Sequence, residues 1–376
     1  MRRWPIGAVL LVAAVAAGIV FVLGQRHTRP QLVVGGVEDA AKWADPGGNM
    51  ALAQQAGFRT IVLSSVWARP ATTPGPAELD GLRRAIDAAE QIGIRPIVAV
   101  YSFSGNTPVS TRDREEFGSY AASILRAIPE LPTISLGNEP NSNEFWMPQF
   151  GPSGTDAAAL AYFRLLETAY PLVKAADPHV TVIGGSLAAR GGDNPRSGRP
   201  THSPTRFIED LGAAFRASGL AKPPLDLFSI HPYPANSSIP PTVADPHSTS
   251  IGIADYPKLV RLLTDAFDHP LPIVYGEYGI QTEIPRAELD LYSGRRASSI
   301  HPVSEARQAD DYVEAIRLAA CQPLVRMLVF FHVTDESQLT GLQTGLYYPN
   351  AKPKEGLRRV AAWAQAAENG QVRCRG

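Results

Sequence analysis

The feature that most constrains the fold of this chain is a regular alternation of short apolar runs with longer helix-like stretches. The short runs are rich in Val and Ile without a clean polar alternation, which is typical of parallel strands buried on both faces. In one stretch between runs, Leu82, Ile86 and Ala89 recur at the spacing of a single helical face. The apolar runs are residues 31–37, 60–67, 95–102, 133–139, 180–186, 226–233, 272–279 and 325–333.

Eight such units predict an α/β fold, the (β/α)8 or TIM barrel, with residues 31–376 as a single domain. A doubly wound open sheet is the alternative, but it usually opens on a GxGxxG turn, which the first run, VVGGVED, lacks. The connections 233–253 and 278–304, after the sixth and seventh runs, are unusually long. Both leave the carboxyl ends of strands, where barrels keep active sites, so we expect substrate walls or lids; insertions without a role are the alternative.

The N-terminal segment has a different character from the rest of the chain. Arg2 and Arg3 precede an uncharged apolar run, 6–24, which is the pattern of an export signal. The run is close to the roughly 20 residues that span a bilayer. Its one small-residue trio, Ala14-Val15-Ala16, lies inside the run and is therefore a poor cleavage site. We therefore expect residues 1–30 to be a signal peptide or an uncleaved anchor, and the protein to be secreted or tethered outside the cytoplasmic membrane. A buried helix of the main domain is the alternative.

Charge and cysteine content restrict the classes of partner. The formal net charge is −1, which gives no reason to expect nucleic acid as a partner. The only cysteines are Cys321 and Cys374, which in an exported chain could form one disulfide or remain two free thiols. Neither cysteine lies in a CxxC or His-rich setting, so we expect no metal and no cofactor.

Polar residues end three of the predicted strands. Glu139 follows the fourth run in ISLGNEPN, and Glu277 ends the seventh in VYGEYG. His231 and Tyr233 follow the sixth run. A barrel brings the carboxyl ends of its strands to one face, so these side chains are expected to converge on one pocket.

This constellation resembles clan A of the glycoside hydrolases, the barrel enzymes that carry one catalytic Glu after strand four and another after strand seven. The matching motifs are the Asn-Glu pair of NEP, the His-x-Tyr after strand six and the Glu that ends strand seven. The resemblance implies a retaining glycosidase acting on a poly- or oligosaccharide, with Glu139 as acid/base and Glu277 as nucleophile. It also implies that Asn138 binds the sugar 2-hydroxyl, that Tyr233 donates to Glu277, and that His231 lines the same wall.

Each of these residues also has a structural alternative. Glu139 could cap a helix, Glu277 could be a buried ion-pair partner, and His231 could be a hydrogen-bonded core histidine. If the resemblance holds, hydrogen bonds should keep Glu277 ionised, while neighbouring negative charge should hold the proton on Glu139.

Aromatic side chains at strand ends are candidates for stacking on sugar rings. The candidates are Trp67, Tyr101, Trp146 and Tyr278, with Tyr292 a lesser one.

The chain also departs from the clan in places. Val62 stands where many members carry an arginine, with Arg69 a possible substitute. Tyr101 stands where many carry a histidine. After strand eight, where a tryptophan is usual, the chain offers Phe331, His332 and Asp335, and we include His332 among the substrate-binding candidates.

Three other functions remain open at the level of sequence. A carbohydrate-binding barrel without catalysis would keep the fold and lose turnover. A transglycosylase would share every residue of the site and differ only in its acceptor. A barrel acting on phosphorylated substrates would need a phosphate cradle after strands seven and eight, for which Gly341 and Gly345 are weak candidates.

Overall fold

Eight parallel strands close into a barrel in the computed structural model, which describes residues 31–374. The strands are β1 (Val33–Val37), β2 (Thr60–Val66), β3 (Arg95–Tyr101), β4 (Thr133–Leu136), β5 (Thr181–Ala188), β6 (Leu227–His231), β7 (Ile273–Tyr278) and β8 (Val325–Phe331). Each strand pairs with its neighbours in sequence order, and β1 pairs with β8 to complete the ring. The predicted (β/α)8 barrel is therefore confirmed, and the open sheet is excluded.

Nine α-helices accompany the strands within the described range. They are α1 (Ala40–Trp43), α2 (Pro46–Gln55), α3 (Pro76–Gln91), α4 (Thr111–Ala127), α5 (Ala158–Ala176), α6 (Pro204–Ser218), α7 (Tyr256–Phe267), α8 (Glu305–Ala320) and α9 (Leu357–Glu368). The helical face of Leu82, Ile86 and Ala89, recognised in the sequence, lies in α3. Pro76 begins α3, and Ser110 caps α4 by accepting a hydrogen bond from the backbone of Asp113.

Helices α1 and α2 were missed from the sequence. Gly47 and Gly48 lie in the first turn of α2 and lower its intrinsic helix propensity. The helix forms because Pro46 occupies its first turn and Oδ1 of Asp45 accepts a hydrogen bond from the amide of Gly48 at 3.0 Å. Local capping thus outweighs propensity at this point of the chain.

An apolar layer fills the middle of the barrel. Its six residues come from six different strands: Val62, Ile97, Ile183, Leu227, Val274 and Met327. Side chains from alternate positions of barrel strands interdigitate in such layers, so the interior is a packed core. Because Val62, Ile97, Ile183 and Val274 also face the cavity above them, this layer is the floor of the cavity.

The loop after β7 is long, as predicted, and is tied to the loop after β8. Lys354 and Asp335 form an ion pair at 2.8 Å in which both side chains are at most 1% exposed. Asp335 also accepts a hydrogen bond from the hydroxyl of Tyr292 at 2.6 Å, and Lys354 donates to Thr282 at 2.9 Å. Tyr292 and Thr282 belong to the β7 loop, so one buried cluster fixes both loops together.

Cys321 and Cys374 form a disulfide, the first of the two possibilities that the sequence left open. The bond ties the segment after α9 to the C-terminal end of α8, with 5.5 Å between the two Cα atoms. The predicted signal or anchor, 1–30 with its apolar run 6–24, lies outside the described residues. Among residues 31–374, no helix combines the length and the apolar character that crossing a membrane requires.

Candidate active site

A cavity of about 360 Å³ opens at the carboxyl ends of the strands. All eight strands, or the loops that follow them, contribute to its wall. Its floor is apolar, and its upper wall is polar. The polar and charged side chains that line it include Asp39, Ser64, Tyr101, Asn138, Glu139, Glu144, His231, Tyr233, Glu277 and His332.

The turn after β4 directs Glu139 into this cavity. Gly137 has φ 90°, and a Cβ at this position would lie 2.7 Å from the ring of Tyr162, so only glycine fits. Glu139 itself has φ 38°, a left-handed conformation that is uncommon outside glycine, and its amide donates to the carbonyl of Ser186 at 2.8 Å. The next α-helix begins only at Ala158, so Glu139 is not a helix cap.

Glu277 reaches the cavity from β7, next to β6. A Cβ at Gly276 would collide with the hydroxyl of Ser229 and would lie 3.1 Å from the ring of His231, so the glycine permits this close approach. The hydroxyl of Tyr233 donates a hydrogen bond to Oε2 of Glu277 at 3.1 Å. That contact is the one which the resemblance to clan A implies.

The two glutamates and His231 form one cluster. A carboxylate oxygen of Glu139, one of Glu277 and a ring nitrogen of His231 all lie within 4.8 Å of one another. Nδ1 of His231 is 3.2 Å from Oε1 of Glu139 and 3.6 Å from Oε2 of Glu277. His231 is buried, as a core histidine would be, but its partners are these two carboxylates.

Burial dominates the electrostatics of this cluster. It raises the pKa of Glu277 to about 7; the charge of Glu139 adds to this, while His231 and the hydrogen bond from Tyr233 act in the opposite direction. Burial also disfavours the charged ring of His231, but the charges of Glu277 and Glu139 outweigh it, so the pKa of His231 is raised. From the sequence we expected hydrogen bonds to keep Glu277 ionised. The hydrogen bond from Tyr233 is not enough to do so, because burial still raises the pKa of Glu277 above the ordinary carboxyl range.

Donor chemistry alone would let this cluster hold a divalent cation, because two carboxylates and an imidazole are common metal ligands. The same atoms already satisfy one another, since His231 contacts both carboxylates and Tyr233 donates to Glu277.

Several predicted site residues do line the cavity. Tyr101, Asn138 and His332 lie in its wall together with the cluster. The ring of Tyr101 packs edge-on against Phe103 and Phe145 at the rim.

The structure does not bring the other aromatic candidates to the cavity. Trp67 is fully buried against Phe117, and its indole nitrogen donates to the carbonyl of Ala71 at 2.7 Å. Trp146 is buried against Tyr162, and Tyr278 packs on Tyr312. Successive side chains of a strand point to opposite faces, so Tyr278 must face the helices once Glu277 faces the cavity.

The remaining candidates have structural contacts of their own. Tyr292 and Asp335 belong to the cluster that fixes the β7 and β8 loops. Arg69 donates to the carbonyl of Gly105 and lies 3.5 Å from Asp113, away from the cavity.

The long β6 loop contributes Tyr233 to the cavity wall, whereas no residue of 279–304, all of them described, lines it. The expected wall or lid from the β7 loop is therefore not part of this cavity.

Sequence reasoning missed two acidic residues of the wall, Asp39 and Glu144. Asp39 lies two residues past the end of β1, so the rule that selected Glu139 and Glu277, a carboxylate at the carboxyl end of a buried strand, would also have selected it. Glu144 lies in the loop after β4 and is exposed at the rim.

Solved structures of glycoside hydrolases share this fold. The chain matches a family 39 glycoside hydrolase from the gut symbiont Bacteroides cellulosilyticus WH2 with TM-score 0.65 and 19% identity, over 91% of this chain and 65% of that one. It matches a GH5-4 broad-specificity endoglucanase from Clostridium longisporum with TM-score 0.57 and 12% identity, over 88% and 87% of the two chains. For a monomeric β-xylosidase from Caulobacter crescentus CB15, the TM-score is 0.57 and the identity 17%, over 89% and 68%.

These likenesses confirm the predicted resemblance at the level of the fold. At identities of 12% to 19%, these likenesses show a shared fold and do not show a shared activity. The chain spans slightly less than two thirds of the family 39 enzyme. No protein-family model matches this sequence, and no curated protein matches it.

Proposed function

We propose that this protein is a retaining glycoside hydrolase that cleaves O-glycosidic bonds of a poly- or oligosaccharide. The observation that carries the proposal is the separation of Glu139 and Glu277, which have carboxylate oxygens within 4.8 Å of each other. Retaining glycosidases hold their two carboxyl groups about 5–5.5 Å apart, whereas inverting enzymes need about 6.5–9.5 Å to admit a water molecule.

In the first step Glu277 attacks the anomeric carbon as a carboxylate, and the bond from that carbon to the leaving oxygen breaks. Glu139 gives its proton to this oxygen, so the leaving group departs as a neutral alcohol. The hydrogen bond that Tyr233 donates to Glu277 favours the ionised form of this residue. It supports the assignment of Glu277, rather than Glu139, as the nucleophile.

In the second step water replaces the enzyme at the anomeric carbon. The glycosyl ester removes the negative charge of Glu277, so Glu139 and His231 no longer face it. Glu139, now ionised, takes a proton from the attacking water, and the ester bond to Glu277 breaks. His231 contacts both carboxylates and stabilises whichever carries the charge in each step. Asn138 lies in the wall beside Glu139, where it can bind the sugar 2-hydroxyl.

Two experiments test this function. A panel of plant and microbial glycans, with furanose as well as pyranose polymers, should give new reducing ends, and the first-formed product should keep the anomeric configuration of the substrate. A 2-deoxy-2-fluoro glycoside with a good leaving group should then add one glycosyl unit to the peptide that contains Glu277. Product of inverted configuration would contradict the retaining mechanism.

A transglycosylase with the same site would transfer the glycosyl unit to an acceptor sugar, and product analysis with acceptors separates the two activities. A binding protein without catalysis would retain oligosaccharides and release no ends. The N-terminal pattern of residues 1–30 supports action outside the cytoplasm, either secreted or tethered through 6–24.

A further inference from the structure

The position of the catalytic cluster determines where a bound sugar can lie. Glu139 follows β4 and Glu277 lies on β7, while His231 and Tyr233 occupy the short arc of the wall between them. If the proposed function is right, the anomeric carbon sits between the carboxylates. The ring of the glycone, the sugar that Glu277 attacks, can then extend toward the opposite arc of the cavity, formed by β8, β1, β2 and β3.

A carboxylate is fixed on this opposite arc. Oδ1 of Asp39 accepts a hydrogen bond from the amide of Ser64 at 2.7 Å, and Oδ2 accepts one from the hydroxyl of the same residue. Behind it, Nζ of Lys42 lies 3.4 Å from Oδ1. Asp39 is 27% exposed and lines the cavity. An ionised carboxylate has about four acceptor positions, so part of its capacity is left for the hydroxyl groups of a sugar.

The neighbouring strand β8 ends beside an unpaired polar atom. Nδ1 of His332 is buried and has no hydrogen-bond partner in the described protein, although His332 lines the same cavity. Buried polar atoms of proteins nearly always have a partner, so an unpaired one at this point of the wall makes His332 a candidate for contact with a ligand. Burial lowers the pKa of His332 to about 4, so the ring is neutral at neutral pH and adds no positive charge.

The arc has no cation that could balance a negatively charged sugar. Among the described residues that line the cavity, four are carboxylates (Asp39, Glu139, Glu144 and Glu277) and none is Lys or Arg. Lys42 is buried on the far side of Asp39 and donates to the carbonyl of Ser64 at 2.6 Å. Arg190 follows β5 and does not line the cavity; it donates to the carbonyls of Tyr233 and Pro234 at 2.8 Å.

We propose that Asp39, together with His332, selects a glycone that offers hydroxyl donors and carries no negative charge. A uronic acid would bring its carboxylate beside a fixed carboxylate whose cation, Lys42, is buried behind it and is already shared with Glu78. No Lys or Arg of the described cavity wall would face the added charge, and water cannot screen the repulsion inside a cavity. This inference rests on the proposed function and adds a restriction on the substrate that the two catalytic glutamates do not impose.

The test uses the purified protein and two sets of 4-nitrophenyl glycosides. One set contains neutral pyranosides and furanosides, and the other contains the uronides that differ from the neutral pyranosides only in a carboxylate at C5. We expect kcat/KM for the best neutral glycoside to exceed that for the best uronide at least 100-fold.

Three variants separate charge from structure. In Asp39→Asn the side-chain oxygen can still accept from the amide of Ser64 and the NH2 group can donate to its hydroxyl, so the fold should hold, and the neutral-to-uronide ratio should fall at least tenfold. Glu78→Gln is the matched control, because it removes a carboxylate 3.4 Å from the same Lys42 but outside the cavity; its ratio should not change. His332→Phe keeps a ring and should raise KM for neutral glycosides at least fivefold. Thermal melting of each variant checks folding.

The outcomes discriminate between this inference and the function on which it rests. Cleavage of a uronide within tenfold of the best neutral glycoside would overturn the selection. A ratio that stays unchanged in a folded Asp39→Asn variant, or that changes equally in Glu78→Gln, would overturn the role of Asp39. If no glycoside of either set is cleaved, it is the proposed function that fails.

Discussion

The hydroxyl of Tyr233 lies 3.1 Å from Oε2 of Glu277 and donates to it, and this bond counteracts the burial that raises the pKa of the carboxyl to about 7. Glu277 must be ionised to attack, so kcat/KM should fall as pH drops through about 7. Tyr233→Phe removes the donor and raises the pKa of Glu277 further, so the acidic limb of the pH profile should move to higher pH. Tyr101→Phe, which changes a cavity tyrosine that does not bond to Glu277, should leave that limb in place; an equal shift in both variants would contradict this role.

The two glutamates should respond differently to substitution. Glu277→Ala should abolish turnover of every substrate, because no nucleophile remains. Glu139→Ala should slow turnover of substrates with poor leaving groups by roughly 10²–10⁴-fold, the contribution of a general acid, and should spare dinitrophenyl glycosides, which need no protonation. Steady-state kinetics with both classes of substrate measures the difference. Glu144→Gln, at the rim of the same cavity, should cost less than about tenfold; equal and mild losses in the two catalytic variants would refute the assignment.

Gly137 should matter for activity as well as for stability. In Gly137→Ala the new Cβ meets both an unfavourable φ and the ring of Tyr162, so the turn that aims Glu139 must shift, and kcat should fall with the midpoint of unfolding. Gly93→Ala is the control, because Gly93 has φ 75° and nothing within 4 Å of an added Cβ. It should cost only about 1–2 kcal/mol of unfolding free energy and leave kcat unchanged.

The buried ion pair between Lys354 and Asp335 should contribute strongly to stability. Lys354→Met leaves the Asp335 carboxylate buried without its cation, and we expect a loss of about 3–5 kcal/mol in the free energy of unfolding. Arg84→Ala breaks an ion pair with Asp80 in which both side chains are half exposed or more, and should cost less than about 1 kcal/mol. Guanidinium unfolding of both variants measures the contrast. Similar losses of unfolding free energy in the two variants would argue that the buried cluster does not hold the β7 and β8 loops together.

The disulfide should stabilise the protein without serving catalysis. It closes a loop with a sequence separation of 53 residues that contains β8 and α9, and removing such a cross-link costs about 4 kcal/mol in the chain-entropy model. The double variant Cys321→Ser/Cys374→Ser should therefore unfold at a lower denaturant concentration, with kcat unchanged in buffer. A lower kcat in a fully folded double variant would contradict this prediction, because it would mean that the C-terminal segment influences the active site.

The sequence was sufficient for the barrel and for the convergence of Glu139 and Glu277, because buried parallel strands leave a strong apolar signal and their carboxyl ends share one face. It was insufficient for the aromatic side chains. Trp67 and Tyr278 lie at the carboxyl ends of strands, as Glu139 does, but the direction of each side chain depends on the alternation along the strand and on the helices that cover it. Once Glu277 was assigned to the cavity, the alternation alone would have assigned Tyr278 to the core.

Contacts between loops were beyond the reach of sequence patterns. Lys354, Asp335 and Tyr292 carry no motif, and they meet only because two long loops fold back on each other above the barrel. Helix α2 was hidden for a different reason, since the capping by Asp45 and Pro46 supports a turn that its glycines would not form alone. The pKa of Glu277 likewise depends on burial, which a sequence does not give.

Because β1 pairs with β8, the barrel can close only after the eighth strand has been synthesised. A growing polypeptide that has emerged past Glu277 already contains both glutamates, yet the wall bearing His332 does not exist until the eighth strand has docked against the first. A fragment ending before Val325 should therefore be inert however well its earlier units have folded, and turnover should report that the ring has closed.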